Sequence, residues 1–206
     1  MSKTRGTLYP VIVRRTPQQP PVAELGRDVD IALVQARGAF PRVYYRADLE
    51  AFGVDPFDAY VGARENIAAL FRSGAIRGKY VAGPAGSRII VLRHSLAPSC
   101  IVMPGLWAWA RSELGQDALC ASIPRRDALI VFADQGPEYR EEIQTRLGGA
   151  FVREMLTTEI FGIDEAGVHA FPESESSIPF FGEPTIVMDG PTLDAALQLT
   201  RDLASP

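Results

Sequence analysis

The chain has 206 residues, 47% hydrophobic and 22% charged, with a formal net charge of −4. That length buries a full core in a single domain, and the composition is that of an ordinary globular protein. The acidic balance argues against a dedicated nucleic-acid binder, which shows a strongly basic face. No apolar run approaches the ~20 residues that cross a bilayer, and MSKTRGTLYPVIVRRT lacks the apolar core and small-residue cleavage site of a signal peptide. The expected location is the cytoplasm.

Charge is uneven along the chain. Residues 1–46 carry eight Lys or Arg against three acids, a net +5, which leaves −9 for the rest. Such an arm grips an acidic partner or lies against its own body. Within it, Leu8–Arg15 reads as a strand, and Pro10 favours a sheet edge or a strand start. Pro17, Pro20 and Pro21 break regular structure. Asp30–Arg37 reads as a strand or a short helix, and Arg42–Arg46 as a strand.

A helix is expected over Pro56–Arg72. Asp55 suits the N-cap, Pro56 the first helical position, Asp58 the positive end of the dipole and Gly74 the exit. Phe57, Tyr60, Ala63, Ile67, Leu70 and Phe71 form its core-facing stripe. Lys79–Ala82 and Arg88–Arg93 read as a hairpin around Gly83–Gly86. Pro104–Leu114 reads as a short helix with Leu106, Trp107, Ala110 and Leu114 on one face. Trp109 falls off that face, either as an interface anchor or under the cover of a loop.

The apolar runs Ala118–Ile123 and Ala128–Ala133 flank Pro124-Arg125-Arg126-Asp127. ALIVFA holds no polar residue, so it reads as a strand covered on both faces, and the connection is short enough for an antiparallel hairpin. A helix should run from Gly136 to about Leu156 on Tyr139, Ile143, Leu147, Ala150, Phe151 and Met155. Glu159–Ile163 and Val168–Phe171 read as a hairpin. Residues 172–183 read as a loop with an apolar tip at Ile178, Phe180 and Phe181. Thr185–Met188 reads as a last strand and Pro191–Ala204 as a final helix. Short hairpins between most strands give the α+β class, a single domain whose antiparallel sheet packs in two layers, covered mainly on one side by helices. Residues 1–46 form a strand-rich basic arm and 172–206 a C-terminal extension.

Catalytic patterns are sparse. GAIRGKY is one residue short of a phosphate loop, has Tyr80 where a magnesium-binding hydroxyl belongs, and follows a helix rather than a strand. No nucleophile elbow, zinc-helix motif or dinucleotide fingerprint occurs. His94 and His169 have no ligands at metal spacing, so neither a metal nor a cofactor is expected. Cys100 and Cys120 sit in apolar runs and read as buried thiols, a disulfide being the alternative. Asp127, Asp134, Glu138 and Asp164 lie near sheet ends, as carboxylates for acid–base work or as solvated caps. Arg125 and Arg126 suit an anionic ligand; otherwise they decorate a solvated turn, with Asp127 pairing one of them.

The runs DLEAFGVDPFDAYVGARENIAAL, PGLWAWARSELGQDALCASIPRRDALIVFADQ and LTTEIFGIDEAGVHAF, in that order, resemble the uncharacterised bacterial YtpQ-like family over about residues 48–171. The most specific piece is IPRRDALIVF, similar to that family's proline-x-arginine-aspartate strand junction. The family carries no assigned activity. The resemblance therefore implies a bacterial α+β protein and transfers no catalytic residue.

The functional expectation is a non-enzymatic protein-binding module, chaperone-like or immunity-type, with exposed aromatics at Trp109, Phe180 and Phe181. Its partner is a second protein or a second copy of itself, with no membrane contact and no nucleic acid. The rival is a small hydrolase or transferase acting on an anionic substrate at Arg125, Arg126 and Asp127.

Overall fold

Hydrophobic strands separated by short turns set the architecture. The computed structural model describes residues 7–35, 41–151 and 155–171. In a four-stranded sheet, β3 (Val29–Gln35) pairs along its length with β1 (Leu8–Arg14) and on its other side with β2 (Ala23–Glu24) and β4 (Arg42–Tyr44). A six-stranded antiparallel sheet runs in the order β10-β9-β7-β8-β6-β5. Its strands are β5 (Arg77–Ala82), β6 (Arg88–Arg93), β7 (Leu119–Arg125), β8 (Ala128–Ala133), β9 (Ile160–Asp164) and β10 (Gly167–Ala170). The helices are α1 (Arg46–Ala51), α2 (Pro56–Arg72), α3 (Leu106–Leu114) and α4 (Pro137–Phe151). No helix among the described residues is long and apolar enough to cross a membrane. This is a single α+β domain.

Pro10 lies in β1 at a sheet edge, as its missing N–H demands. The segment 8–35 is no loose appendage: Ile12, Val29 and Ile31 enter the same core cluster as Leu92, Leu129 and Phe161 of the larger sheet. α2 has the expected ends. The Asp55 carboxylate accepts from the Asp58 N–H at 2.9 Å, and Gly74 takes a left-handed φ of 76° just past the helix.

β8 is buried on both faces. Leu129 and Val131 face the main core with α2, α3 and the smaller sheet, while Ile130 and Phe132 face α4 through Tyr139, Ile143 and Leu147. Helical cover is therefore present on both sides of the larger sheet, where the sequence suggests mainly one. β7 runs on through Pro124 to Arg125. One extra residue lies between the Ser122–Ile130 and Arg125–Ala128 pairs, so the proline sits at a bulge.

Three features add to or depart from the sequence reading, which expects a strand over Arg42–Arg46 and assigns nothing between it and Pro56. Arg46–Ala51 is helical: the Asp48 carboxylate reaches back to the Tyr45 N–H at 2.9 Å, and Leu49 is buried beneath it. α4 is described to Phe151, and Met155 and Leu156 are not helical, where the sequence suggests a helix to about Leu156. The Leu156 N–H instead donates to the Pro124 carbonyl at 2.9 Å, holding the chain against the bulge of β7. Phe57 does not face the core and is 71% exposed. It stands about 80° around the helix from buried Ile67 and projects from the first turn of α2. The expected loop at 172–183, strand at 185–188 and helix at 191–204 lie outside the described residues.

Candidate functional site

The β7–β8 connection is a two-residue turn, Arg126-Asp127, closing the pair Arg125–Ala128. Arg93 of β6 also pairs with Ala128, so Arg93, Ala128 and Arg125 form one row across the sheet. Both arginines reach Asp127: Arg125 Nε donates to Oδ1 at 3.0 Å, and Arg93 donates to Oδ2 at 2.9 Å. The Asp127 carbonyl accepts from the His94 N–H at 3.1 Å. Asp127 thus holds two guanidinium groups, where the sequence suggests one. Arg126 is exposed, with no carboxylate partner among the described residues. An anion reaching this turn meets one free guanidinium and two already engaged.

The predicted aromatic sites fare differently from one another. Trp109 is half-buried; its ring packs edge-to-face on Phe71 with centroids 4.9 Å apart. Gly78 of β5 leaves room for this arrangement, since a Cβ there would stand 2.9 Å from Ile90 and 3.6 Å from the Trp109 ring. Phe180 and Phe181 lie outside the described residues. Among the described residues, the exposed large apolar side chains are elsewhere: Phe52 (56%), Phe57 (71%), Val61 (42%), Val43 (37%) and Tyr80 (49%). At the corner from α1 into α2, Phe52 caps the end of α1, and Phe57 and Val61 lie one turn apart at the start of α2. Arg42 lies over the rings of Tyr44 and Phe52, 4.9 and 5.4 Å from their centroids. A signal for this corner is present in FGVDPF: a left-handed Gly53 and Pro56 fix a tight turn with a phenylalanine beside each.

Neither cysteine is poised for chemistry. Both are buried and free, and burial pushes the Cys100 thiol up to about 12 and the Cys120 thiol higher still, with Asp134 adding to the latter. Cys120, Gly162 and His169 stand in register across β7, β9 and β10, and the imidazole fills the space above Gly162. His169 Nδ1 lies 3.5 Å from Asp164, but no hydrogen bond joins the ring to the thiol. His94 Nδ1 accepts the Leu96 N–H at 3.0 Å and serves a turn. Asp134 accepts from the Gly136 N–H and from Arg140 at the start of α4. Asp164 accepts from the Ala166 and Gly167 N–H groups in the β9–β10 turn. No group of three His, Cys, Asp or Glu side chains among the described residues could hold a metal ion.

Among the described arginines of the N-terminal segment, Arg14 and Arg27 reach the rest of the body and Arg15 ties the segment to itself. Arg14 donates to the Met155 carbonyl at 2.5 Å. Arg15 bridges the Gly26 carbonyl and buried Asp30, at 2.9 and 2.8 Å. The Asp30 hydrogen bond holds the Arg15 pKa above its ordinary value. The Arg27 backbone N–H and Nε donate to Glu159 Oε1 at 2.7 and 3.2 Å, while Oε2 is buried without a hydrogen bond.

No family model, no curated protein and no solved structure matches this chain.

Proposed function

We propose that this protein is a non-enzymatic module of the bacterial cytoplasm that binds a protein partner, in a chaperone-like or immunity-type role, through the apolar corner of Phe52, Phe57 and Val61. The observation that carries the reading is Phe57, a phenylalanine 71% exposed on a well-formed helix, with exposed Val61 one turn on and exposed Phe52 five residues before it in sequence. Adjoining apolar side chains left in water mark interaction surfaces more often than isolated ones do, and aromatic side chains dominate the energetics of such surfaces. Kinship with the YtpQ-like family, proposed on the Ile123–Phe132 run, is compatible with this role and adds no chemistry to it.

The rival, a hydrolase or transferase acting on an anionic substrate at the Pro124–Asp127 turn, draws on Arg125 and Arg126. It has less support, because a substrate using Asp127 as base must displace one of two charge-assisted hydrogen bonds. The test is affinity capture from the native lysate by the wild type and by Phe57→Ser/Val61→Ser. A stoichiometric partner is expected with the wild type and lost with the variant, whose stability should stay within about 0.5 kcal/mol. Equal retention by both proteins would sink the corner as the binding surface.

A further inference from the structure

We propose that the outer edge of β5 takes up an extended strand of a partner protein, antiparallel to β5, with acidic side chains at alternate positions. The site is separate from the apolar corner, which lies on α1 and α2. The edges of the described strands differ. β1 is blunted: Pro10 has no N–H, the Leu8 carbonyl accepts from Asn66 at 2.9 Å, and the Pro10 carbonyl accepts from Ser99 at 2.5 Å. β2 and β4 span two and three residues, and β10 spans four. β5 pairs with β6 over six residues in unbroken register, without proline or bulge, and no other described strand pairs with its outer side. Residues Arg77, Gly78, Lys79 and Tyr80 are all exposed. An unpaired edge of that length is a template for another strand.

Charge and face select the occupant. Arg77, Lys79 and Val81 stand opposite Arg93, Val91 and Ile89 of β6. Val81, Val91 and Ile89 pack into the cluster under α4, so Arg77 and Lys79 share the α4 face of the sheet. Neither forms an ion pair among the described residues. Arg77 Nε donates to the Gly74 carbonyl at 2.9 Å, which holds that guanidinium in place. The other face of β5 carries Gly78 and Tyr80. The Tyr80 hydroxyl donates to the Glu113 carboxylate, and the Arg88 guanidinium lies 4.3 Å from the ring centroid, so the ring is fixed while half-exposed.

Every pairing in this sheet is antiparallel. A strand added in the same sense brings its residues opposite Arg77 and Lys79 to one face, at alternate positions of its own chain. Acids there meet one cation each, and apolar residues opposite Val81 and Tyr80 cover exposed carbon. A second copy's β5 is a poor occupant. It sets Arg77 and Lys79 beside the same two cations, and like charges on paired strands are destabilising. Cations on an edge are a device against such self-pairing, and the same device admits an acidic strand.

The test adds a probe peptide to the full chain and follows amide chemical shifts and hydrogen exchange. The probe is acetyl-Thr-Val-Val-Glu-Thr-Glu-Thr-amide, and its control carries Lys in place of both Glu. At about millimolar concentration the Glu peptide is expected to shift and protect those amides of Gly78–Val81 that point away from β6. It should bind at least about tenfold more tightly than the Lys peptide. Arg77→Glu/Lys79→Glu should invert that preference. Phe57→Ser/Val61→Ser should leave it unchanged, which separates this edge from the apolar corner. Methylating the peptide nitrogens that face β5 should abolish binding. Equal affinity for the two peptides overturns the proposal, as do shifts confined to other elements or absent altogether. Binding that survives methylation overturns it in favour of ion pairing alone. Outer β5 amides that exchange slowly in the free protein also overturn it, because the edge is then already covered.

Discussion

Two arginine–carboxylate clusters among the described residues differ in depth. At the joint of the two sheets, the Asp30 and Glu159 side chains are 4% and 5% exposed and are met by Arg15 and Arg27. At the β7–β8 turn, Asp127 is 34% exposed between Arg93 and Arg125. The hydrogen-bond lengths are alike, but the surroundings are not. A carboxylate sealed from water cannot recover hydration when its partner is lost, whereas one at a turn can. The first cluster therefore sets stability, and the second holds the shape of one turn.

The largest break of that contrast is Glu159→Ala. It removes two charge-assisted hydrogen bonds, one of them to the Arg27 backbone, and leaves a gap against Gly26. About 3 kcal/mol of stability should go, read as a lower urea midpoint at an unchanged slope. Asp30→Ala should cost about 2 kcal/mol, less because the Asp30 side chain accepts one charge-assisted hydrogen bond, from Arg15, where Glu159 accepts two. A loss under about 1 kcal/mol for Glu159→Ala would mean that its carboxylate is hydrated.

The same joint can be broken from its other side. Gly26 has no room for a side chain: a Cβ would collide with the Glu159 carboxylate and stand 2.8 Å from the Phe161 ring. Phe161 is fully buried and cannot give way. Gly26→Ala should cost about 1–2 kcal/mol through overpacking, and Gly26→Ala/Glu159→Ala should cost less than the sum of the two singles. Full additivity in urea unfolding would place the strain elsewhere.

Most strands and the ends of α2 were legible in the sequence, because each rests on local signals: ALIVFA on its lack of polar atoms, α2 on Asp55, Pro56 and Gly74. The misreadings come from tertiary context. Phe57 fits the spacing of the α2 stripe, but only the packed body shows that the first turn overhangs it. Leu156 is not helical because its N–H finds the Pro124 carbonyl, a contact between residues distant in sequence. Trp109 finds Phe71 and the empty side of Gly78 in the same way. The joint of Arg15, Asp30, Arg27 and Glu159 was invisible as a unit, since its members are spread over 144 residues and none belongs to a short motif. The arginines of the hairpin turn were visible, while Arg93, which completes the cluster, is set beside them only by the pairing of β6 with β8.

The smallest expected effect sharpens the comparison most. Asp127→Ala should cost about 0.5–1 kcal/mol, because Asp127 and Arg93 are both within reach of water and the turn is closed by the Arg125–Ala128 pair. A double-mutant cycle between Arg93 and Asp127 isolates the pair from everything else the two side chains touch. Its coupling should be below about 1 kcal/mol and shrink further in 1 M salt, as for any ion pair within reach of solvent. The matching cycle between Arg27 and Glu159 should give a coupling at least twice as large that barely responds to salt. If the two couplings come out equal, burial is not what separates the clusters, and the hairpin turn is as much a part of the stabilising frame as the joint between the sheets.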